Sequence, residues 1–279
     1  ATFIVSYFSS PLNGGGAYDR ANQKERRMPM IITVANQKGG LGKTTSCLNL
    51  AACAAQEGKK TCLIDLDPQA NLTKTLIPNL EDRPTIYHVL RYSAKLSEAQ
   101  AETSIPNLFV IPGASDLSKL EGASAGDQRK AYLLQEALAD FAAGFDLVLV
   151  DTPPALGLLT LNALLAAGYL VIPIQPSFYP LQGTNDLYQT YQIAKRQLNT
   201  RLELLGVLIT MYDPRTTMAR EALREIRGFF GDKVLAAMIH RTVKIEESPA
   251  AGQSVITYAP RSQGAAQYQA AYRELMGRV

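Results

Sequence analysis

The sequence of 279 residues contains no tryptophan, only two histidines and only three cysteines. Cys47, Cys53 and Cys62 are too few for a disulfide framework, and they lack the C-x-x-C spacing of metal sites. This pattern favours a reducing compartment, and we expect a cytoplasmic protein. No apolar run reaches the roughly 18 residues of a membrane helix. No signal peptide is evident at the N-terminus either.

Charge is also scarce, because charged residues make up 19% of the sequence and apolar residues 47%. That composition is sufficient for a large core and excludes global disorder. The net charge of +3 is unevenly distributed, since residues 1–194 carry 15 basic and 17 acidic side chains, whereas residues 195–279 carry 13 and 8. The basic C-terminal third indicates either an anionic partner or an ordinary solvated surface.

The chain divides into a tail and one domain. Residues 1–27, with three consecutive glycines and a charged run, are expected to form a flexible N-terminal tail, and residues 28–279 a single domain. In that domain, apolar segments alternate with helical ones. The predicted strands are Ile31–Ala35, Thr61–Leu66, Leu108–Ile111, Leu147–Val150, Tyr169–Ile174 and Leu204–Ile209. This order predicts a three-layer α/β fold, a mostly parallel twisted sheet with helices on both faces.

A glycine-rich segment follows the first predicted strand and precedes a predicted helix. Glycines let backbone N–H groups approach a phosphate, and the helix N-terminus adds partial positive charge. Lys43 is predicted to reach the β- and γ-phosphates, and the Thr44 hydroxyl to hold Mg²⁺. The motif departs from G-x-x-x-x-G-K-[ST] because Gln37 occupies the first glycine position. The candidate nucleotide contacts are Lys38, Gly39, Gly40, Leu41, Gly42, Lys43, Thr44 and Thr45. The alternative is a glycine turn before a helix.

Two aspartates at the ends of predicted buried strands complete this candidate site. Asp67 follows Thr61–Leu66, and Asp151 follows Leu147–Val150. Because the carboxyl ends of parallel strands converge on the ligand crevice, both aspartates are expected near the phosphates. We expect Asp151 to position Mg²⁺ and Asp67 to position the attacking water. Each is alternatively an ordinary helix cap or loop residue.

Several motifs together resemble those of the ParA/Soj family of chromosome- and plasmid-partitioning ATPases. They are the Lys38–Thr45 segment, a deviant Walker A motif with an early second lysine, and Asp65–Gln69, Leu147–Pro154 and Gly206–Thr217. The resemblance covers about residues 30–279 and implies a P-loop ATPase domain. One departure is His240-Arg241-Thr242, where the family often has Pro-Arg-Asn near the adenine.

The resemblance implies ATP and Mg²⁺ as cofactors. It implies catalytic roles for Lys38 and Asp67, Mg²⁺ contacts for Thr44, Asp67 and Asp151, and a nucleotide contact for Met211. It further implies an ATP-dependent sandwich dimer, in which Lys38 reaches the phosphates of the other subunit. That dimer is expected to bind double-stranded DNA nonspecifically on the nucleoid. Hydrolysis is expected to be slow until a ParB-type DNA-binding protein stimulates it.

A basic helix is predicted in the C-terminal third, from Thr216–Thr217 to about Phe230. Its arginines recur at spacings of four and three, which places them on one face. The candidate DNA contacts are Arg220, Arg224, Arg227 and, outside the helix, Lys244. The alternative is a solvated face partly neutralised by Glu221 and Glu225.

Three other functions remain open from the sequence. A membrane-positioning ATPase of the MinD kind needs a basic amphipathic C-terminal helix, and Gln267–Val279 matches this poorly, so no stable membrane association is expected. A metallocluster ATPase resembling the nitrogenase iron protein needs cysteines after Cys62, and the sequence has none. A nucleotide-dependent scaffold without useful turnover stays possible, because turnover depends on finely placed groups.

Overall fold

The computed structural model describes residues 29–80, 82–121, 127–177, 181 and 184–279. The predicted tail, residues 1–27, lies outside this part of the chain. The described strands are β1 (Met30–Val34), β2 (Thr61–Asp65), β3 (Ala101–Glu102), β4 (Leu108–Ile111), β5 (Leu147–Asp151), β6 (Tyr169–Ile174), β7 (Glu203–Tyr212) and β8 (Val234–His240). They form one sheet in the order β3-β4-β2-β5-β1-β6-β7-β8. Every neighbouring pair is parallel except β3 and β4.

Helices follow most of these strands. They are α1 (Lys43–Gln56), α2 (Asn71–Leu76), α3 (Ile86–Leu90), α4 (Leu96–Ala99), α5 (Ser118–Glu121), α6 (Leu133–Phe141), α7 (Leu158–Ala166), α8 (Thr184–Ile193), α9 (Thr217–Phe230), α10 (Val243–Glu247), α11 (Val255–Tyr258) and α12 (Gln263–Met276). Short 3-10 turns at Gln128–Tyr132 and Ala142–Gly144 flank α6, and a π-helical turn, Ala194–Leu198, continues α8.

Both faces of the sheet are buried, which explains why its central strands are mostly apolar. Leu63 and Leu149 belong to a core that includes residues of α1 and α12. Their neighbours Ile64 and Val150 belong to another core, under α6 and α7. Successive side chains of a strand point to opposite faces, so a strand covered on both sides needs a continuous apolar run. The predicted three-layer α/β fold is confirmed.

The predicted strands are present within a few residues, but the sequence analysis missed two. β3 is only two residues long. β8 is an edge strand, and two alanines, which favour strands only weakly, stand at the centre of its apolar run Val234–Ile239. β7 extends to Tyr212, beyond the predicted end at Ile209. The predicted helix at Thr216–Phe230 is confirmed, with the Thr216 hydroxyl accepting a hydrogen bond from the Ala219 N–H.

The C-terminal helix α12 packs on the core. Tyr268, Tyr272 and Leu275 are almost fully buried in the same core as α1. The apolar face of α12 is therefore covered by the protein itself. In the described part of the chain, no helix combines the length and apolarity that crossing a membrane requires.

Candidate active site

The register of three central strands brings two aspartates side by side. Asp151 at the end of β5 pairs with Asp65 at the end of β2 and with Val34 at the end of β1. Both carboxylates are fully buried. The segment that follows β1 is the glycine-rich loop, so this loop and the two strand-end aspartates meet at the same edge of the sheet.

The glycine-rich loop joins β1 to α1 and is held from both sides. Gly40 and Gly42 have φ values of 71° and 79°, in the left-handed region that favours glycine. Asn36, which is buried, donates from Nδ2 to the Pro173 carbonyl over 2.8 Å. Its Oδ1 accepts a hydrogen bond from the Lys38 N–H over 3.3 Å. The end of β6 therefore fixes the start of the loop.

The end of β7 fixes the other side of the loop. The Thr210 hydroxyl donates to the Leu41 carbonyl over 2.9 Å. A Cβ on Gly42 would lie 3.8 Å from Thr210 Cγ2 and 4.0 Å from Met211 Cε. Met211 has a φ of 52°, an uncommon conformation for a residue other than glycine and a form of backbone strain that is frequent at functional sites. The structure thus brings Met211, a predicted nucleotide contact, against the loop.

Lys43 is the first residue of α1, and its side chain turns back over the loop. Its Nζ donates to the Lys38 carbonyl over 3.0 Å, and the residue is buried. Burial lowers the pKa of Lys43, while the nearby Asp151 and Asp67 carboxylates oppose that shift. The ammonium group is therefore poorly solvated and suited to receive an anion. Thr44 and Thr45 follow on the first turn of α1, partly buried.

Asp65 is saturated with hydrogen bonds. Its Oδ2 accepts from the Thr73 N–H (2.9 Å) and the Thr73 hydroxyl (2.7 Å), and its Oδ1 accepts from the Asp67 N–H (3.2 Å). The Thr73 hydroxyl also accepts from the Gly113 N–H over 2.8 Å. Burial raises the pKa of Asp65 to about 6, although the bonds from Thr73 lower it in part. Asp65 therefore shapes the turn that carries Asp67.

Asp67 lies in that turn and is buried. Its Oδ1 accepts from the Gln69 N–H over 2.9 Å, and its carbonyl accepts from the Ala70 N–H over 2.8 Å. The turn holds the carboxylate close enough to Lys43 to oppose the lowering of that lysine's pKa by burial. The structure therefore brings together Lys43, Asp67 and Asp151, as the sequence analysis expected.

Asp151 stands out because its charge is only partly compensated. No described residue donates a well-formed hydrogen bond to either carboxylate oxygen. Burial and the neighbouring Asp65 raise the pKa of Asp151 far above its ordinary value, while the Thr44 side chain and Lys43 offset part of that rise. A buried carboxylate without donors is costly unless a cation or proton compensates it.

These residues fit a Mg²⁺ ion that is shared with phosphates. Within the described residues, no group of three or more His, Cys, Asp or Glu side chains could hold a metal alone. Mg²⁺ commonly takes one or two protein ligands and completes its shell with phosphate oxygens and water. The Thr44 hydroxyl and the Asp151 carboxylate would hold it, with the more peripheral Asp67 as the third predicted ligand.

The predicted DNA contacts lie away from this site. Arg220, Arg224 and Arg227 are all exposed on α9, whose opposite face is buried. Arg220 donates to the Pro214 carbonyl and to the Thr217 hydroxyl. Lys244 lies on α10 and forms an exposed ion pair with Glu247 at 2.9 Å.

The proposed neutralisation of the arginines by Glu221 and Glu225 is not seen, since no ion pair along the described helix α9 joins them. At 100° per residue, the two glutamates fall on the opposite edge of the exposed face from the arginines. The arginine edge therefore keeps its positive charge.

The residues that hold the loop were not predicted from the sequence. Asn36 and Thr210 make the hydrogen bonds described above, and Thr73 supports Asp65. The position of Asn36, a polar residue directly after a buried strand, was a usable signal. Thr210 gave no such signal, because its partner Leu41 is 169 residues away in the chain.

Comparisons with known proteins show which sequences this chain is similar to. A family model described as an AAA domain matches residues 29–204. The chromosome partitioning protein ParA of Myxococcus xanthus is 38% identical over 266 residues, covering 95% of this chain and 94% of that protein. The chromosome-partitioning ATPase Soj of Thermus thermophilus is 41% identical over 248 residues, covering 89% and 96%.

Two solved structures are similar to this chain in fold and in sequence. Cobyrinic acid a,c-diamide synthase from Mycobacterium smegmatis, with bound ATP analog and magnesium, has a TM-score of 0.76 and 32% identity, covering 89% of this chain and 94% of that one. The cell division ATPase MinD of Pyrococcus furiosus has a TM-score of 0.75 and 26% identity, covering 90% and 100%.

Proposed function

Since the chain belongs to the ParA/Soj family of chromosome-partitioning ATPases, we propose that it couples ATP binding and hydrolysis to reversible association with DNA. The observation that carries the proposal is the buried Asp151, whose charge is only partly compensated, beside the glycine-rich loop and Lys43. A site that combines a cationic cradle with such a carboxylate is suited to a phosphate chain that arrives with its own cation.

In this proposal, each part of the site has a separate task. The N–H groups of the Lys38–Thr45 loop and the Lys43 ammonium bind the phosphates. Thr44 and Asp151 hold Mg²⁺, which when bound neutralises charge on the phosphate oxygens. Asp67 orients the attacking water, and the strained Met211 lines the nucleotide side of the loop. Positioning and electrostatics supply most of the rate in such reactions.

Lys38 has a different task in the proposal. Its backbone is fixed by Asn36 and by Lys43, so the position of its Cα is well defined. Two lysines at one phosphate loop repel each other unless polyanions lie between them. We propose that the Lys38 side chain reaches the phosphates of the ATP that is bound to a second subunit. The bound ATP would then link the two subunits of the dimer.

The dimer is proposed to bind double-stranded DNA through the arginine edge of α9. Arg220, Arg224 and Arg227 are exposed, and no glutamate of that helix neutralises them. Contacts of this kind are to phosphates and carry no direct sequence information. The proposal therefore includes nucleoid association, and release of DNA when a ParB-type partner stimulates hydrolysis. Lys244 is a secondary candidate, because it must first leave Glu247.

The membrane-positioning alternative has less support. It needs an apolar helix face that is available to lipid, whereas Tyr268, Tyr272 and Leu275 of α12 are buried. Sedimentation with lipid vesicles, with and without ATP, tests it directly. ATP-dependent co-sedimentation at physiological salt would favour this alternative over DNA association.

The main proposal is tested by DNA binding measured with ATP, with ADP and without nucleotide. We expect binding to unrelated duplex sequences with ATP only, and none by Lys43→Ala under any condition. DNA binding that is independent of nucleotide would contradict the proposed switch. Absence of DNA binding despite tight ATP binding would leave an ATPase that acts on another target.

A further inference from the structure

An acidic side chain from outside the nucleotide site holds the start of α7. The two carboxylate oxygens of Glu121 accept hydrogen bonds from the Leu158 N–H (3.0 Å) and the Leu159 N–H (3.1 Å). The N-cap residue of α7 is Gly157, which has no side chain to cap the helix. The first N–H groups of a helix need acceptors, and a carboxylate also complements the helix dipole. Glu121 thus supplies a long-range cap.

Gly157 leaves the space that this cap occupies. A Cβ at residue 157 would overlap the Glu121 carboxylate, with Cδ at 2.6 Å and Oε1 at 2.7 Å. The backbone of Gly157 is extended, with φ −101° and ψ −164°, so its conformation alone does not demand glycine. The glycine is required by the carboxylate. Since that carboxylate is the end of a flexible side chain, an added methyl group would displace it without breaking the fold.

The cap controls a short loop that begins at the site. Only residues 152–157 separate Asp151 from α7. The Thr152 hydroxyl donates to the Val34 carbonyl over 3.0 Å and anchors one end of this loop. At the other end, the Thr160 hydroxyl donates to the Ala155 carbonyl over 2.6 Å. Glu121 and Thr160 together fix how the loop enters the helix.

The middle of this loop lies near the phosphate loop. A Cβ on Gly39 would lie 3.9 Å from Pro154 Cβ, an ordinary van der Waals distance. Hydrogen bonds therefore join Glu121 to the start of α7, and Pro154, a few residues before that start, lies near the residue next to Lys38. A shift of the α7 start would move Pro154 relative to the phosphate loop.

We infer that Glu121 is a positioning residue for ATP hydrolysis, which acts by fixing the 152–157 loop against the phosphate loop. The inference rests on the proposed ATPase function. No hydrogen bond or ion pair described for Glu121 reaches the glycine-rich loop, so its loss is expected to leave ATP affinity almost unchanged. The hydrolysis rate falls, because a misplacement of about 1 Å can cost on the order of 100-fold.

Two variants break the same contact in opposite ways. Glu121→Gln keeps the size of the side chain but lacks the second acceptor oxygen and the charge, whereas Gly157→Ala keeps the carboxylate but excludes it. We expect each to slow single-turnover hydrolysis at saturating Mg·ATP by about tenfold or more, with the Kd for ATP within about twofold. The matched control is Glu102→Gln, an exposed glutamate on the edge strand β3.

A double variant identifies the contact itself. In a Glu121→Ala background, Gly157→Ala no longer meets a carboxylate, so it should add little further loss of rate. Such non-additivity marks two residues that act through one interaction. Additive losses would contradict the proposed contact.

A fluorescence reporter separates positioning from simple helix stabilisation. Because the sequence has no tryptophan, Ala155→Trp places a single exposed reporter in the loop. We expect Mg·ATP to change its emission, and Glu121→Gln to reduce that change. A purely structural cap would lower the melting temperature of the variant but leave rate and reporter response intact, which would overturn the inference.

The outcomes also separate this inference from the proposed function. If the unmodified protein neither binds nor hydrolyses ATP, the proposed function fails and the inference fails with it. If the unmodified protein hydrolyses ATP and both single variants match the Glu102→Gln control, only the inference is wrong. Should Glu121→Gln fail to fold, the hydrolysis rate of Gly157→Ala decides between the two outcomes, since its methyl group displaces only a side-chain end.

Discussion

The Nζ of Lys43 lies 3.0 Å from the carbonyl oxygen of Lys38. The side chain of Lys43 thus turns back over the loop and contacts the backbone of Lys38. This bond substitutes for part of the solvation that burial removes from the Lys43 ammonium, and an incoming phosphate can take its place. The two lysines are separable by mutation, because the bond uses the side chain of one and only the backbone of the other.

Lys43→Ala is expected to weaken ATP binding by at least about tenfold, because a charged hydrogen bond contributes roughly 1.5–3 kcal/mol. Isothermal titration calorimetry with Mg·ATP measures this loss. The control is Lys59→Ala, a partly exposed lysine beyond the far end of α1. Equal affinities of the two variants would contradict the assignment of the phosphate site.

Lys38→Ala is expected to retain ATP binding and lose ATP-dependent dimerisation. The backbone carbonyl that accepts from Lys43 survives the substitution, so the loop should keep its shape. Analytical ultracentrifugation with Mg·ATP should show a monomer for the variant and a dimer for the unmodified protein. A variant that still dimerises on adding ATP would refute the cross-subunit role.

Asp67→Ala is expected to leave the Kd for ATP nearly unchanged and to slow hydrolysis by about 10²–10⁴-fold, the usual range for loss of a group that assists proton transfer. The reason is that Asp67 is proposed to act on the attacking water and not on bound phosphate. Single-turnover measurements at saturating Mg·ATP isolate this step. A normal hydrolysis rate would contradict this role and would leave Asp67 with only a structural role in its turn.

Asp151→Asn is expected to abolish Mg²⁺-dependent hydrolysis and yet to stabilise the nucleotide-free protein at neutral pH. Burial and Asp65 raise the folded-state pKa of Asp151 above its unfolded value. A carboxyl with a raised pKa contributes stability below about pH 4, its unfolded pKa, and that stability is lost as pH rises through the folded pKa. Asparagine does not ionise, so the variant does not lose stability in this way as the pH rises.

Urea denaturation between pH 5 and pH 9, without nucleotide or Mg²⁺, measures that effect. The free energy of unfolding of the unmodified protein should fall relative to Asp151→Asn as the pH rises. A difference that does not vary with pH would mean that Asp151 is not destabilised by its own charge.

The change of Arg220, Arg224 and Arg227 to alanine is expected to weaken DNA binding and spare ATP binding. If each arginine contacts one phosphate, the negative slope of log K against log salt should decrease in magnitude by roughly 0.9 per lost contact. The control is Arg215→Ala, which is exposed but already paired with Asp213 at 2.8 Å. If the slope and the DNA affinity stay at the control values, these arginines are not the DNA-binding site.

Local patterns predicted much of this protein. The glycines, Lys43 and Thr44 are contiguous, so their geometry is set by the turn and the helix that they themselves form. The apolar runs of β2 and β5 predicted buried strands, and strand ends predicted where Asp67 and Asp151 meet. β8 was missed because two alanines, which favour strands only weakly, stand at the centre of its apolar run.

The roles of individual polar residues were decided by contacts across the chain. The sequence by itself determined that Asp65, Asp67 and Asp151 lie at one edge of a parallel sheet. Only the tertiary structure separated them, because Thr73 saturates Asp65 while no described residue donates a well-formed hydrogen bond to Asp151. Likewise, the hydrogen bond between Glu121 and the first residue of α7 joins residues that are 37 positions apart in the sequence. A hydrogen bond depends on atomic distance and angle in the folded chain, so such pairs leave no periodic or local signature in the sequence.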